Sequence, residues 1–164
     1  SLAAQRRAAR SAARGGRPPA LGPVGRCPGG PATAYPNGAI PLDVLCPLSF
    51  APREHLRADA AHGFEQLARA YSRQFGSAPC LTDSYRPLSV QVTLSMTKPR
   101  LAARPGTSNH GWGTALDLCG GIESFGTAEH AWMLVHAPLY GWFHPAWAQQ
   151  GGSKPEAWHF EYGG

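Results

Sequence analysis

The stretch Ser108-Asn109-His110-Gly111-Trp112-Gly113-Thr114-Ala115-Leu116-Asp117 constrains this chain more than any other. It carries an imidazole and a carboxylate seven residues apart, with glycines at 111 and 113 between them. That spacing is too long for the two side chains to meet on one helical face. It fits a loop residue followed by a strand residue, with the glycines letting the backbone turn closely around whatever the side chains hold. A second stretch, Glu156-Ala157-Trp158-His159, adds another imidazole and another carboxylate. In strand geometry, alternation puts Trp158 and Phe160 opposite His159, so aromatic packing on one side aims the imidazole on the other.

Two imidazoles, a carboxylate and a spare glutamate are the inventory of a catalytic zinc site. Such a site has three protein ligands, an open position for water and a base beside it. His110, Asp117 and His159 are the candidate ligands, for one Zn2+ per chain. Glu156, in a turn after Pro155, is the candidate base, placed beside the metal rather than on it. Cys119, two residues past Asp117, is a conceivable fourth ligand, but a thiolate there would close the open position.

At 164 residues the chain is read as one catalytic domain with a tail. Glycine (20) and proline (16) are both frequent, which points to long irregular loops around the core. Residues 1–26 form an Ala/Arg-rich basic arm that holds six arginines and no acid, leaving the remainder of the +5 chain nearly neutral. Nothing after residue 26 adds a basic face with interleaved aromatics, so no nucleic-acid partner is expected. No apolar run reaches the roughly 18 residues of a membrane span. No secretory pattern is read at the start, where Arg6, Arg7 and Arg10 stand among alanines.

The cysteines Cys27, Cys46, Cys80 and Cys119 form no C-x-x-C pair. Their even count and wide spacing suit two disulfides in an oxidising compartment, and three pairings are possible. Cys27–Cys46 and Cys80–Cys119 are favoured. The first would tie the entry segment to the domain; the second would clamp the strand before Arg86 to the strand carrying Asp117. Four buried thiols in a reducing compartment are the other reading.

Along the chain, residues 1–14 can form a short helix, and 27–49 is a Pro/Gly-rich wrapping segment before a domain over 50–164. Leu56, Ala60, Phe64, Leu67, Ala68 and Tyr71 make one apolar stripe, predicting a helix from Pro52 to Phe75 that Gly76 stops. A strand is expected from Cys80 to Tyr85, a helix between Pro87 and Pro99, and a loop over 100–109. A strand should run from Thr114 to Leu118, and a helix capped by Thr127 should run to about Ala137. Gly141 to His144 and Trp158 to Tyr162 read as aromatic strands. The fold class is α+β: a small antiparallel sheet carrying the zinc site, flanked by helices.

The full string S-x-H-x-x-G-x-A-x-D, followed some forty residues on by E-x-W-H, resembles the peptidoglycan-cutting zinc peptidases. These include the vancomycin-resistance D,D-carboxypeptidases and phage L-alanyl-D-glutamate endopeptidases, in a wider group with lysostaphin and the hedgehog signalling domain. The resemblance covers roughly residues 50–164. It implies that His110, Asp117 and His159 bind zinc and that Glu156 is the general base. It also implies that Arg86, in Ser84-Tyr85-Arg86, lies in the substrate cleft and holds the carbonyl or its oxyanion. Ser84, Tyr85, Gln91 and Ser108 fall in motif positions around the substrate. Asn109 and Trp112 depart from the pattern, at the pocket wall rather than the metal.

Arg86 has a physical case of its own, since its planar fork suits a carboxylate or a developing oxyanion. A structural pairing with Asp83 is the competing reading. Trp112, Trp142, Trp147 and Trp158 offer a stacking wall for sugar or else fill the core or a lid, and Trp158 is taken as a substrate contact. His55, His62 and His130 are expected on helix surfaces, and His136 and His144 as packed structural residues.

The resulting expectation is a monomeric, extracytoplasmic zinc D-alanyl-D-alanine carboxypeptidase acting on peptidoglycan stem peptides. An endopeptidase of the L-alanyl-D-glutamate type and a non-catalytic wall-binding module of the same fold are the alternatives.

Overall fold

The computed structural model describes residues 26–164. The helix expected over 1–14, and all but the last residue of the basic arm, lie outside the described residues. Strands β1 (Cys46–Leu48) and β2 (Ala51–Leu56) form an antiparallel two-stranded sheet. Helix α1 (Ala58–Phe75) follows, then β3 (Cys80–Asp83), α2 (Leu88–Thr97), β4 (Ala115–Cys119), α3 (Ala128–His136), β5 (Trp142–Phe143) and β6 (His159–Tyr162). The second sheet is antiparallel throughout, in the order β3-β4-β6-β5. This is an α+β domain with small antiparallel sheets and three α-helices among the described residues.

The core lies between α1 and the second sheet. Phe64 and Leu67 from α1 meet Leu116 and Leu118 of β4, Trp142 of β5 and Phe160 of β6, all essentially without exposure. Phe64 meets Trp142 edge to face at 5.4 Å, and the Trp142 indole N–H donates to Ala60 O at 3.2 Å, so the large ring has both its apolar surface and its polar atom satisfied. Met133 brings α3 onto the same cluster.

The stripe on α1 is buried from Ala60 to Tyr71, but the helix begins at Ala58 rather than Pro52. Residues 51–56 pair instead with β1, placing His55 opposite Pro47 in a strand rather than on a helix. Leu56 still reaches the core, from the strand side. The difference is one of partners: pairing with β1 satisfies backbone groups of 51–56 that an extra helical turn would have satisfied internally. Glu65, buried on α1, accepts from both the N–H and the hydroxyl of Ser49 and so holds the β1–β2 turn against the helix.

Local signals set the other ends. Gly76 takes the left-handed conformation (φ 84°) and closes α1 with its N–H on Ser72 O. Thr127 caps α3, its Oγ1 accepting from His130 N at 3.1 Å while donating to Gly121 O at 2.6 Å. Thr127→Ala is expected to lower stability by about 1 kcal/mol, read as a lower urea midpoint at unchanged slope. His130 is buried rather than on the surface: it lies on the inward face of α3, its Nδ1 donates to Ile122 O at 2.9 Å, and Phe125 packs on its ring. His62 stays half-buried on α1, bonded to Cys27 O, and His144 is buried with its Nδ1 on His159 O.

Disulfides join Cys27 to Cys46 and Cys80 to Cys119, and no described cysteine is free. The second bridges β3 and β4, where the two cysteines are register partners. The first anchors residues 27–45, which fold back over the domain. From that segment Asn37 Nδ2 donates to Ser108 O (2.7 Å), Gly38 N to Gly111 O (2.9 Å) and Ile40 N to the Tyr85 hydroxyl (2.9 Å). No described helix is long and apolar enough to cross a membrane.

Candidate metal centre and substrate cleft

His110 sits in a 3-10 turn, Asn109–Trp112, that Ser108 begins by accepting from His110 N. The close approach of the wrapping segment explains one motif glycine: a Cβ on Gly111 would collide with the Asn37 side-chain amide. Gly113 ends the turn in the left-handed region (φ 69°) with its Cα face against Arg57 N, which glycine alone tolerates without strain. The chain then enters β4, and Asp117 points into the same cavity as His110. Asp117 is the register partner of His159 on β6, so sheet pairing brings together residues 42 positions apart.

His110 Nδ1 donates to Ser84 O at 2.8 Å, which leaves Nε2 facing Asp117 Oδ1 at 3.2 Å. His159 faces the same oxygen through Nδ1, at 3.1 Å. One donor atom from each of His110, Asp117 and His159 lies within 4.8 Å of the others. Ligands about 2.0–2.1 Å from a tetrahedral zinc stand roughly 3.3 Å apart, so the two short separations fit a shared ion. The donor types, two imidazoles and one carboxylate, fit zinc as well.

Burial would raise the Asp117 carboxyl, but hydrogen bonds from His110 and His159 outweigh it and hold the group well below the usual carboxylate range. Burial likewise opposes charge on His159, yet its hydrogen bonds to Asp117 and Glu161 prevail and push the imidazole up to about 9.

The cavity above them measures about 540 Å3. Glu156 lines it, with Oε2 4.0 Å from His159 Nδ1 and Oε1 3.6 Å from Lys154 Nζ. Burial raises its carboxyl above the ordinary value, against the pull of His159 and Lys154. Arg86 also lines the cavity. Its Nε donates to Asp83 Oδ2 at 2.9 Å, a second nitrogen bonds the same oxygen, and Nη1 donates to Gln91 Oε1 at 2.8 Å. The guanidinium also lies 3.6 Å from Asp117 Oδ2. The structural pairing with Asp83 and a place in the cleft thus coexist.

Ser108 and Trp158 line the cavity, whereas Ser84, Tyr85 and Gln91 stand behind its wall. Ser84 accepts from His55 N and donates to Glu54, and its carbonyl orients His110. Tyr85 is buried against the wrapping segment, and Gln91 holds Arg86 while donating to Ala103 O. Trp158 shares the cavity side with His159 instead of opposing it, because β6 begins only at His159 and alternation starts there; Phe160 does turn into the core. Trp147 packs on His159 at 5.0 Å and lines the cavity, Trp142 fills the core, and Trp112 lies on the surface. Cys119 is committed to its disulfide.

Sequence reasoning overlooked Glu161 and used Asp83 only as a rival for Arg86. Both line the cavity. The signal for Glu161 was present: on a strand, residues 159 and 161 share a face.

The family model of VanY, D-alanyl-D-alanine carboxypeptidase, matches residues 53–164. A search of curated proteins finds no significant match. Among solved structures, a mutant of the vancomycin-resistance D,D-pentapeptidase VanY from a VanB-type cassette, in complex with Zn(II), is similar at 25% identity over 73% of this chain and 78% of that one, with TM-score 0.57. VanYB in complex with D-Ala-D-Ala is similar at 25% identity over 73% and 77%, with TM-score 0.55. The LD-carboxypeptidase LdcB is similar at 25% identity over 67% of this chain and 60% of that one, with TM-score 0.56. The family match runs from β2 through β6 and so takes in every side chain that meets in the cavity; the chain is a peptidase of the VanY D-alanyl-D-alanine carboxypeptidase family.

Proposed function

We propose that this chain is an extracytoplasmic, monomeric D-alanyl-D-alanine carboxypeptidase that holds one zinc ion on His110, Asp117 and His159 and trims peptidoglycan stem peptides. The observation that carries this reading is the convergence of those three donors beside Glu156 in one open cavity. The two disulfides support an oxidising compartment. Zinc bound there supplies Lewis acidity, polarising the scissile carbonyl and making water a competent nucleophile near neutral pH.

The protein groups do the rest. Glu156 takes a proton from the attacking water and hands it to the departing amine, so that as the C–N bond breaks the leaving D-alanine is released neutralised. Its raised carboxyl suits a group that must both accept and return a proton. Arg86, held by Asp83 and Gln91, keeps an edge in the cavity for the carbonyl oxygen or the terminal carboxylate. Lys98 and Lys154 add positive charge to the same wall, which favours a substrate ending in a carboxylate. The side chains of Trp147 and Trp158 give the stem an apolar face.

The likeness to LdcB favours a second choice of bond, between an L- and a D-residue. Incubation of the zinc-loaded protein with defined penta- and tetrapeptide stems, followed by mass analysis, separates the readings. Loss of one alanine from the pentapeptide is expected. Trimming of the tetrapeptide alone would replace D,D by L,D specificity, cleavage within the stem would make the protein an endopeptidase, and no cleavage would leave a binding module.

A further inference from the structure

Glu161 has no part in the chemistry described so far, yet it stands in the cavity with its Oε1 2.9 Å from His159 Nε2. The opposite nitrogen of that ring, Nδ1, is the one facing Asp117. A neutral imidazole carries one proton, and a metal takes the nitrogen that lacks it. We infer that Glu161 is a positioning residue for the metal: by accepting Nε2–H it fixes His159 in the tautomer whose Nδ1 lone pair points toward Asp117 and His110.

This inference rests on the reading of His110, Asp117 and His159 as ligands. It makes the two histidines bind through different nitrogens, each set by its own partner. Ser84 O accepts the hydrogen bond of His110 Nδ1–H and leaves Nε2 free. Glu161 accepts that of His159 Nε2–H and leaves Nδ1 free. The partners differ in kind, since Ser84 offers a neutral carbonyl and Glu161 a carboxylate. The carboxylate makes its imidazole the stronger donor and adds a negative charge one ring away from the ion. Glu161 is not itself a ligand, because the His159 ring stands between its carboxylate and the donors of Asp117 and His110. The strand supplies the arrangement: His159 and Glu161 project on one side of β6, and Phe160 between them is fixed in the core.

The test uses Zn2+ itself, with the folded chain, a competing chromophoric chelator and 15N NMR of the histidines. Glu161→Ala is expected to weaken Zn2+ binding by about 10- to 100-fold, and Glu161→Gln, which keeps an oxygen acceptor, by less. In the zinc-loaded parent protein, His159 should show a protonated Nε2 and a coordinated Nδ1. That measurement needs no variant and stands even if Glu161→Ala does not fold. Wild-type Zn2+ affinity in both variants, or coordination of His159 through Nε2, would overturn the inference while leaving the ligand set intact. Failure of the parent protein to bind Zn2+ would instead remove the ligand reading.

Discussion

Glu156→Ala is expected to lower kcat on a susceptible stem peptide by roughly 10²–10⁴-fold, the usual worth of a positioned general acid–base group, while the protein keeps its zinc. The side chain does not belong to the three-donor cluster, and Oε2 lies 4.0 Å from the nearest imidazole nitrogen, so its removal takes no ligand from the ion. Its backbone anchor, N–H to Ala148 O at 2.9 Å, survives the substitution, and the turn that delivers His159 should hold. The pair of measurements is turnover by product analysis and zinc content by elemental analysis. Unchanged turnover with zinc in place removes Glu156 from the proton-transfer role. Loss of zinc would mean that the carboxylate supports the metal centre instead.

Asp117→Ala should have the larger structural consequence. The carboxylate is where three segments meet: His110 from its turn at 3.2 Å, His159 from β6 at 3.1 Å and Arg86 from the connection between β3 and α2 at 3.6 Å. Its removal takes away one candidate metal ligand and the acceptor that His110 and His159 share, while Arg86 keeps Asp83 and His159 keeps Glu161. Leaving buried hydrogen-bonding groups without their acceptor typically costs about 1–3 kcal/mol, and a loss of about that size is expected. Urea unfolding of chelator-treated samples isolates this term, because zinc then stabilises neither protein. The same variant should bind no stoichiometric zinc and show no hydrolysis. Unfolding at the parent midpoint would show that Asp117 matters to the metal alone.

These outcomes bear on how the site is written into the chain. The first two candidate donors were legible because their motif is local: a serine that caps a turn, an imidazole within it, glycines where the backbone must bend, and a carboxylate on the strand that follows. Gly76 and Thr127 were legible for the same reason, since a left-handed stop and a side-chain cap involve neighbours a few residues away. The start of α1 was not. The apolar period runs on through Leu56, and only the pairing of 51–56 with β1 shows that this leucine enters the core from a strand.

The same division separates the residues that line the cleft from those that support it. Ser84, Tyr85 and Gln91 fall in motif positions, but whether a side chain faces the substrate or the wall depends on segments far away in sequence: Ser84 on residues 54 and 55, Tyr85 on Ile40 and Gln91 on Ala103. Asn37 supports the His110 turn from 71 residues upstream of its partner Ser108, in a stretch that reads only as irregular loop. The sequence by itself named the candidate donors and base, through two short motifs, along with the stop of α1, the cap of α3 and the α+β class, because each motif, stop and cap is a pattern within a few neighbouring residues. Only the tertiary structure decided which nitrogen of each histidine faces Asp117, that Glu161 stands behind His159, and which motif residues reach the cavity. Those depend on hydrogen bonds and strand pairings between distant segments, whose partners no local pattern names.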